Sequence, residues 1–211
     1  MEHVPVLLEE VSNYLKPEPN KLFIDGTVGL GGHAYALLSR ALPGSRLLGI
    51  DRDADNLELA RKRLAQFGSA VVLVHDSYAN AKILAHAHGF TSVDAILLDL
   101  GFSSVHVDDP KRGFSFQSDG PLDMRYDRTQ ALTAEVIVNE WPLEELARIF
   151  RQHGEEPLAR PIAQAIVRSR KDLRITTTCA LADLIESVVK RRGKIHPATR
   201  VFQALRMTVN Y

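Results

Sequence analysis

Four short apolar runs constrain this chain more than any other feature: residues 21–25 (KLFID), 46–51 (RLLGID), 70–75 (AVVLVH) and 94–99 (DAILLD). Each has the length of a strand buried on both faces, and three end on an acidic residue. The stretches between them, 32–41, 54–67 and 78–88, read as helices. Leu57, Ala60, Arg61 and Leu64 recur at the spacing of a packed helix face. Strand–helix alternation predicts a parallel sheet with right-handed crossovers, whose ligands bind at the carboxyl ends of the strands.

The pattern changes after Asp99. Residues 101–126 are rich in Gly, Ser, Asp and Pro and too long for an ordinary connection, which predicts a functional loop. Residues 133–152, 155–170 and 176–190 then read as helices with no strand between them, Thr133 and Thr177–Thr178 marking helix starts. A last amphipathic helix is expected over 196–210, with Pro197 in its first turn. The net charge of the whole chain is zero, but residues 171–211 carry eight basic against three acidic side chains, a net of +5. Such asymmetry suits a polyanion, or simply a solvated helix face. The single cysteine, Cys179, excludes an internal disulfide, and no apolar run approaches the ~18 residues of a membrane span. Without a signal-like start, the expected location is the cytoplasm. Eight histidines show no metal-ligand spacing, so no metal is expected.

The loop from Asp25 to His33 (DGTVGLGGH) follows the first strand and opens the first helix. Its glycines let a ligand approach the backbone closely before the chain turns into the helix. Gly29, Gly31 and Ala34 also satisfy the dinucleotide pattern G-x-G-x-x-A, with Asp51 about 20 residues on, so a nicotinamide cofactor competes at this point. Asp51, ending the second strand, can accept hydrogen bonds from both hydroxyls of a ribose, whereas Asp53 is the better helix cap. Asp76-Ser77-Tyr78 after the third strand could hold an adenine, the Tyr78 ring stacking on it. After the fourth strand, Asp99 is the candidate acceptor for the N–H of an amine under methylation, or else for the amino group of a cofactor. A ring amine is a poor nucleophile because its lone pair is delocalised, which leaves the protein mainly positioning and electrostatics to supply. Phe102 either stacks on a flipped base or is buried under its loop.

Seven blocks go further than this. They begin with HVPVLL (3–8), DGT…GGH (25–33), LLDLG (97–101) and RGFSF (112–116). DGPLDMR (119–125), GEE (154–156) and HPATRVFQALR (196–206) follow in order. In sequence and spacing they resemble the ribosomal RNA small subunit methyltransferase H family, also called the MraW family. The resemblance implies an α/β fold, a class I (Rossmann-like) core binding S-adenosylmethionine, with an all-helical insertion domain. The implied acceptor is a cytosine N4 of 16S rRNA in the small ribosomal subunit, near the decoding centre. By matching position the cofactor contacts would be Gly31, Gly32, His33, Asp51, Tyr78 and Asp99. A polar contact that the family usually makes with Gln in Ser-Ser-Pro-Gln-Leu-Asp falls here on His106, within SSVHVD.

The expected domains are a cofactor-binding core (1–110), a loop plus helical insertion for RNA recognition (111–195) and a helix returning to the core (196–211). Arg112, Phe114, Phe116 and Arg125 form a charged, aromatic loop suited to single-stranded RNA, unless both Phe rings pack the loop onto the core. Lys190, Arg191, Arg192 and Lys194 are candidate contacts to the RNA backbone. Only four strands are visible where such a core has about seven, and the family continues past the last helix. The sheet is therefore expected to be incomplete at its C-terminal end, the chain being a fragment of doubtful catalytic competence. Two other readings stay open: an amino-methyltransferase with a different DNA or RNA target, and a non-catalytic RNA-binding or ribosome-assembly module. Homodimerisation is left open as well.

Overall fold

A computed structural model describes residues 5–101, 103–189 and 195–210. The first hundred residues form one compact unit (1–101) and the remainder a second (102–211).

In the first unit, helix α1 (Leu8–Leu15) precedes β1 (Leu22–Asp25), α2 (Gly32–Ala41), β2 (Arg46–Asp51) and α3 (Ala54–Leu64). Then come β3 (Val71–His75), α4 (Ala81–Ala87) and β4 (Ala95–Leu97). All four strands are parallel, in the order β3-β2-β1-β4. The register pairs Ile24 with Leu48 on one side and Ile96 on the other. Successive residues of a strand point to opposite faces, and the core divides accordingly. Phe23 and Leu47 join Leu37, Leu38, Leu57 and Leu64 from α2 and α3. Ile24, Leu48 and Ile50 join Ala85 and Phe90 on the opposite face. Burial on both faces is why β1 and β2 read as unbroken apolar runs rather than as alternation. The order is that of the first four strands of a doubly wound Rossmann-like sheet, in which the chain reverses direction between β1 and β4. β4 is an edge strand, and Ile96, Leu98 and Leu100 around it are 58, 46 and 66% exposed.

The second unit holds α5 (Ser104–Asp108), α6 (Ala134–Glu140), α7 (Leu143–Gln152), α8 (Ala159–Ser169), α9 (Thr178–Val188) and α10 (Thr199–Val209). One apolar cluster joins α6 to α10 with Leu122 and Met124 of the long loop. Thr133 and Thr177 cap α6 and α9, their hydroxyls accepting the N–H of Val136 and of Ala180. The single helix expected over 133–152 is two, because Pro142 has no N–H to donate and forces Trp141 into extended backbone (φ −72, ψ 147). Two expectations about the last helix change as well. Pro197 precedes it rather than lying in its first turn, and its buried residues Val201, Phe202 and Leu205 belong to the helical cluster of the second unit. The boundary between units falls at 101/102, not 110/111. Helix α1 was not anticipated.

Candidate cofactor site

Ligands of such sheets bind at the carboxyl ends of the strands where the strand order reverses, here between β1 and β4, and the glycine loop leaves β1 there. A side chain at Gly26 would come within 2.5 Å of Leu98 Cδ2 and 3.0 Å of Tyr78 Cβ, so glycine lets the segments after β3 and β4 lie against the loop without displacing them. Gly29 and Gly31 adopt positive φ (52° and 76°), which L side chains resist, and Gly31 serves as the N-cap of α2. Gly32 is glycine for another reason: the space of its missing Cβ is filled by the ring of Pro5.

Asp51, at the end of β2, accepts the Gly29 N–H at 2.7 Å with one oxygen and the Asp53 N–H at 2.8 Å with the other. Its carboxylate is thereby fixed beside the loop. Asp53 caps α3, accepting from Asp55 and Asn56, which separates the two acids as the sequence suggested. After β3, Asp76 accepts the Ser77 N–H and the Asn80 side-chain amide at 2.6 and 2.8 Å, shaping the turn that carries Tyr78. Tyr78 is 44% exposed, so a ring face is accessible.

Asp99 follows β4. Its backbone N–H donates to Thr27 Oγ1 at 2.7 Å, and its half-exposed carboxylate has an oxygen 3.8 Å from Nε2 of the buried His33. Asp25, which sequence reasoning passed over as a site residue, is buried at the end of β1. Burial pushes its carboxyl up to about 7, against the Thr27 N–H bond that favours the ionised form; the nearby charges of Asp51 and Asp99 push it further up. An acid closing an apolar strand was the available signal. Three carboxylates thus gather where the strands end, beside the glycine loop. Such a site suits a ligand combining a cationic group with ribose hydroxyls, and the donor set fits S-adenosylmethionine.

In the second unit the predicted residues behave differently. The ring of His106 is buried against Phe114 (4.8 Å) and Tyr126 (5.0 Å), and its Nδ1 accepts the Ser103 N–H. Arg112 is buried, donating to the carbonyls of Arg125 and Tyr126. Phe114 is 2% exposed, and Phe116 packs on His196 and Phe202. Arg125 makes a two-pronged pair with Asp123 (2.7 and 2.8 Å) and donates to the carbonyls of Arg128 and Gln130. Although burial acts the other way, that pair holds the Asp123 carboxyl below its ordinary range. These contacts fit the reading in which the rings pack the loop onto the core. Phe102, Lys190, Arg191, Arg192 and Lys194 lie outside the described residues. Among the described residues no three His, Cys, Asp or Glu side chains converge as a metal cage, and no helix is long and apolar enough to cross a membrane.

Strand order, switch-point loop and carboxylate-tipped strands define the first unit as a Rossmann-like α/β domain. The chain belongs to the MraW methylase family, which it matches over residues 1–211. It is 51% identical to the ribosomal RNA small subunit methyltransferase H of Thermobifida fusca over 214 residues, covering 99% of this chain and 64% of that protein. Against the protein of the same name from Syntrophotalea carbinolica it is 49% identical, over 99% of this chain and 68% of the other. The chain therefore spans about two thirds of the length of these relatives. Among solved structures, a SAM-dependent O-methyltransferase from Thermotoga maritima superposes with a TM-score of 0.34 at 15% identity, covering 37% of this chain and 32% of that one.

Proposed function

We propose that this chain is the cofactor-binding and RNA-binding part of an S-adenosylmethionine-dependent methyltransferase. Its acceptor is the exocyclic N4 of a cytosine in 16S rRNA of the small ribosomal subunit, near the decoding centre. The observation that carries the reading is the Asp51 carboxylate, fixed by the Gly29 N–H beside the glycine loop of a chain that belongs to the MraW methylase family. The printed names of the relatives supply the substrate class.

When bound, the cofactor supplies an electrophilic methyl on a sulfonium. Asp51 accepts the ribose hydroxyls, the Tyr78 ring covers the adenine, and the loop from Gly31 to His33 brings backbone close to the methionine portion. The negative field of Asp51 and Asp99 favours a cation at the strand ends. Asp99 accepts a hydrogen bond from the amine undergoing methylation, helping its nitrogen pyramidalise, with the attack directed by position rather than by a strong base. The second unit holds the RNA, the basic run at 190–194 meeting the phosphate backbone in the cytoplasm. With Arg112, Phe114 and Arg125 committed within the loop, that run is the better candidate for the polyanion.

Calorimetric titration with S-adenosylmethionine tests the reading. Binding should be saturable, and Asp51→Ala should weaken it roughly 10- to 100-fold, as expected for losing hydrogen bonds to a charged acceptor. Methyl transfer by the full-length enzyme should go to small subunits or their RNA and not to DNA. Transfer to DNA, or unimpaired binding by Asp51→Ala, refutes it.

A further inference from the structure

Pairing between β1 and β4 ends at Asp25↔Leu97, and one more ladder bond follows, from the Gly26 N–H to the Leu97 carbonyl. Beyond that the chain after β1 swings away into the glycine loop, and Asp99 has left the ladder. Its N–H is taken instead by a side chain 72 residues away, Thr27 Oγ1, at 2.7 Å. Thr27 is itself fixed, because its own N–H donates to Asp25 Oδ1 at 3.1 Å. Gly26, where Leu98 and Tyr78 crowd any side chain, sets the close approach that brings Thr27 to this spot.

We propose that Thr27 is a positioning residue. Its hydroxyl stands in for the missing strand neighbour and holds Asp99 at the height where the Asp99 carboxylate meets the cofactor amine or the target base. The inference rests on the methyltransferase reading of the site. Three consequences separate this from plain packing. A valine has the shape of threonine without the acceptor, so shape alone predicts a harmless Thr27→Val change; the latch predicts loss. Serine keeps the oxygen and should preserve the function. The bond is to backbone, so it aims Asp99 without touching its carboxylate.

The test compares Thr27→Val and Thr27→Ser with the wild-type chain by two readouts. Amide hydrogen exchange at Asp99, followed by NMR, reports the latch directly. Calorimetry with S-adenosylmethionine reports its effect on the site. In Thr27→Val the Asp99 amide should exchange about tenfold faster or more and cofactor affinity should fall roughly five- to tenfold, in line with the loss of one hydrogen bond; Thr27→Ser should stay within about twofold on both. Unchanged Asp99 exchange in Thr27→Val overturns the proposal, and so does faster exchange with wild-type affinity. Should the wild-type chain bind no cofactor, the methyltransferase reading falls. The exchange comparison then decides alone whether Thr27 holds Asp99: equal rates overturn the latch, faster rates uphold it.

Discussion

Replacing Asp25 by Asn should make the protein more stable at alkaline pH and leave it unchanged in mild acid. Asp25 is buried at the end of β1, and its carboxyl is pushed up from the ordinary carboxylate range to about 7, chiefly by loss of hydration. The folded chain thus holds a proton on Asp25 in a range where the unfolded chain has released it. With more protons bound in the folded state, stability falls as pH rises from about 4 to about 7 and levels off above that. A displacement of about three pH units at 1.36 kcal/mol each sets the full effect at about 4 kcal/mol. Asparagine has the shape of the neutral acid and can still accept the Thr27 N–H. The variant should therefore match the wild-type chain near pH 4 and exceed it by up to about 4 kcal/mol at pH 8. Urea unfolding of both proteins at intervals between pH 4 and 8 measures this. The difference between the two curves isolates Asp25, because every other titrating group is common to both. A difference that stays constant with pH, or Asn being destabilising at pH 8, would refute the argument that burial dominates at this site.

Two further outcomes concern the loop after the sheet. Gly113→Ala should destabilise the second unit by about 1–3 kcal/mol or more. Its φ is +70°, and a Cβ would run into the Pro121 carbonyl and come within 2.9 Å of the Asp123 nitrogen; an unchanged urea midpoint refutes this. Phe114→Ala should cost about 3–5 kcal/mol, as expected for a fully buried ring stacked on His106 and Tyr126. A variant with normal stability that loses only RNA affinity would return Phe114 to base stacking.

Much of the first unit was legible because its signals are local. The 32–41 and 46–51 segments coincide with α2 and β2. The strand at 94–99 shrank to Ala95–Leu97, since Asp99 has left the ladder for the Thr27 hydroxyl. The cap at Asp53 followed from an acid immediately preceding a helix. The bond from Asp99 to Thr27 was not legible, because nothing in either neighbourhood marks a contact across 72 residues. The loop 112–125 left two readings open for the same reason: its arginines and phenylalanines suit an RNA surface as well as internal packing. Only the fold shows that their partners are backbone carbonyls, Asp123 and one another. Pro142 was in plain view, and weighing it against the helical periodicity on both sides would have divided 133–152 correctly.

The two backbone N–H groups that grip the Asp51 carboxylate have a consequence for selectivity. A carboxylate on a free rotor can swing to follow a displaced hydroxyl, and so tolerates many sugars at a modest penalty. One clamped at both oxygens cannot follow. Its orientation is chosen by the fold, so on the proposed reading a sugar lacking a hydroxyl, or carrying a phosphate in its place, would meet a poorer match or repulsion. On the proposed reading the clamp would act as a fixed gauge for the ribose, its discrimination set as the chain folds, before any ligand arrives.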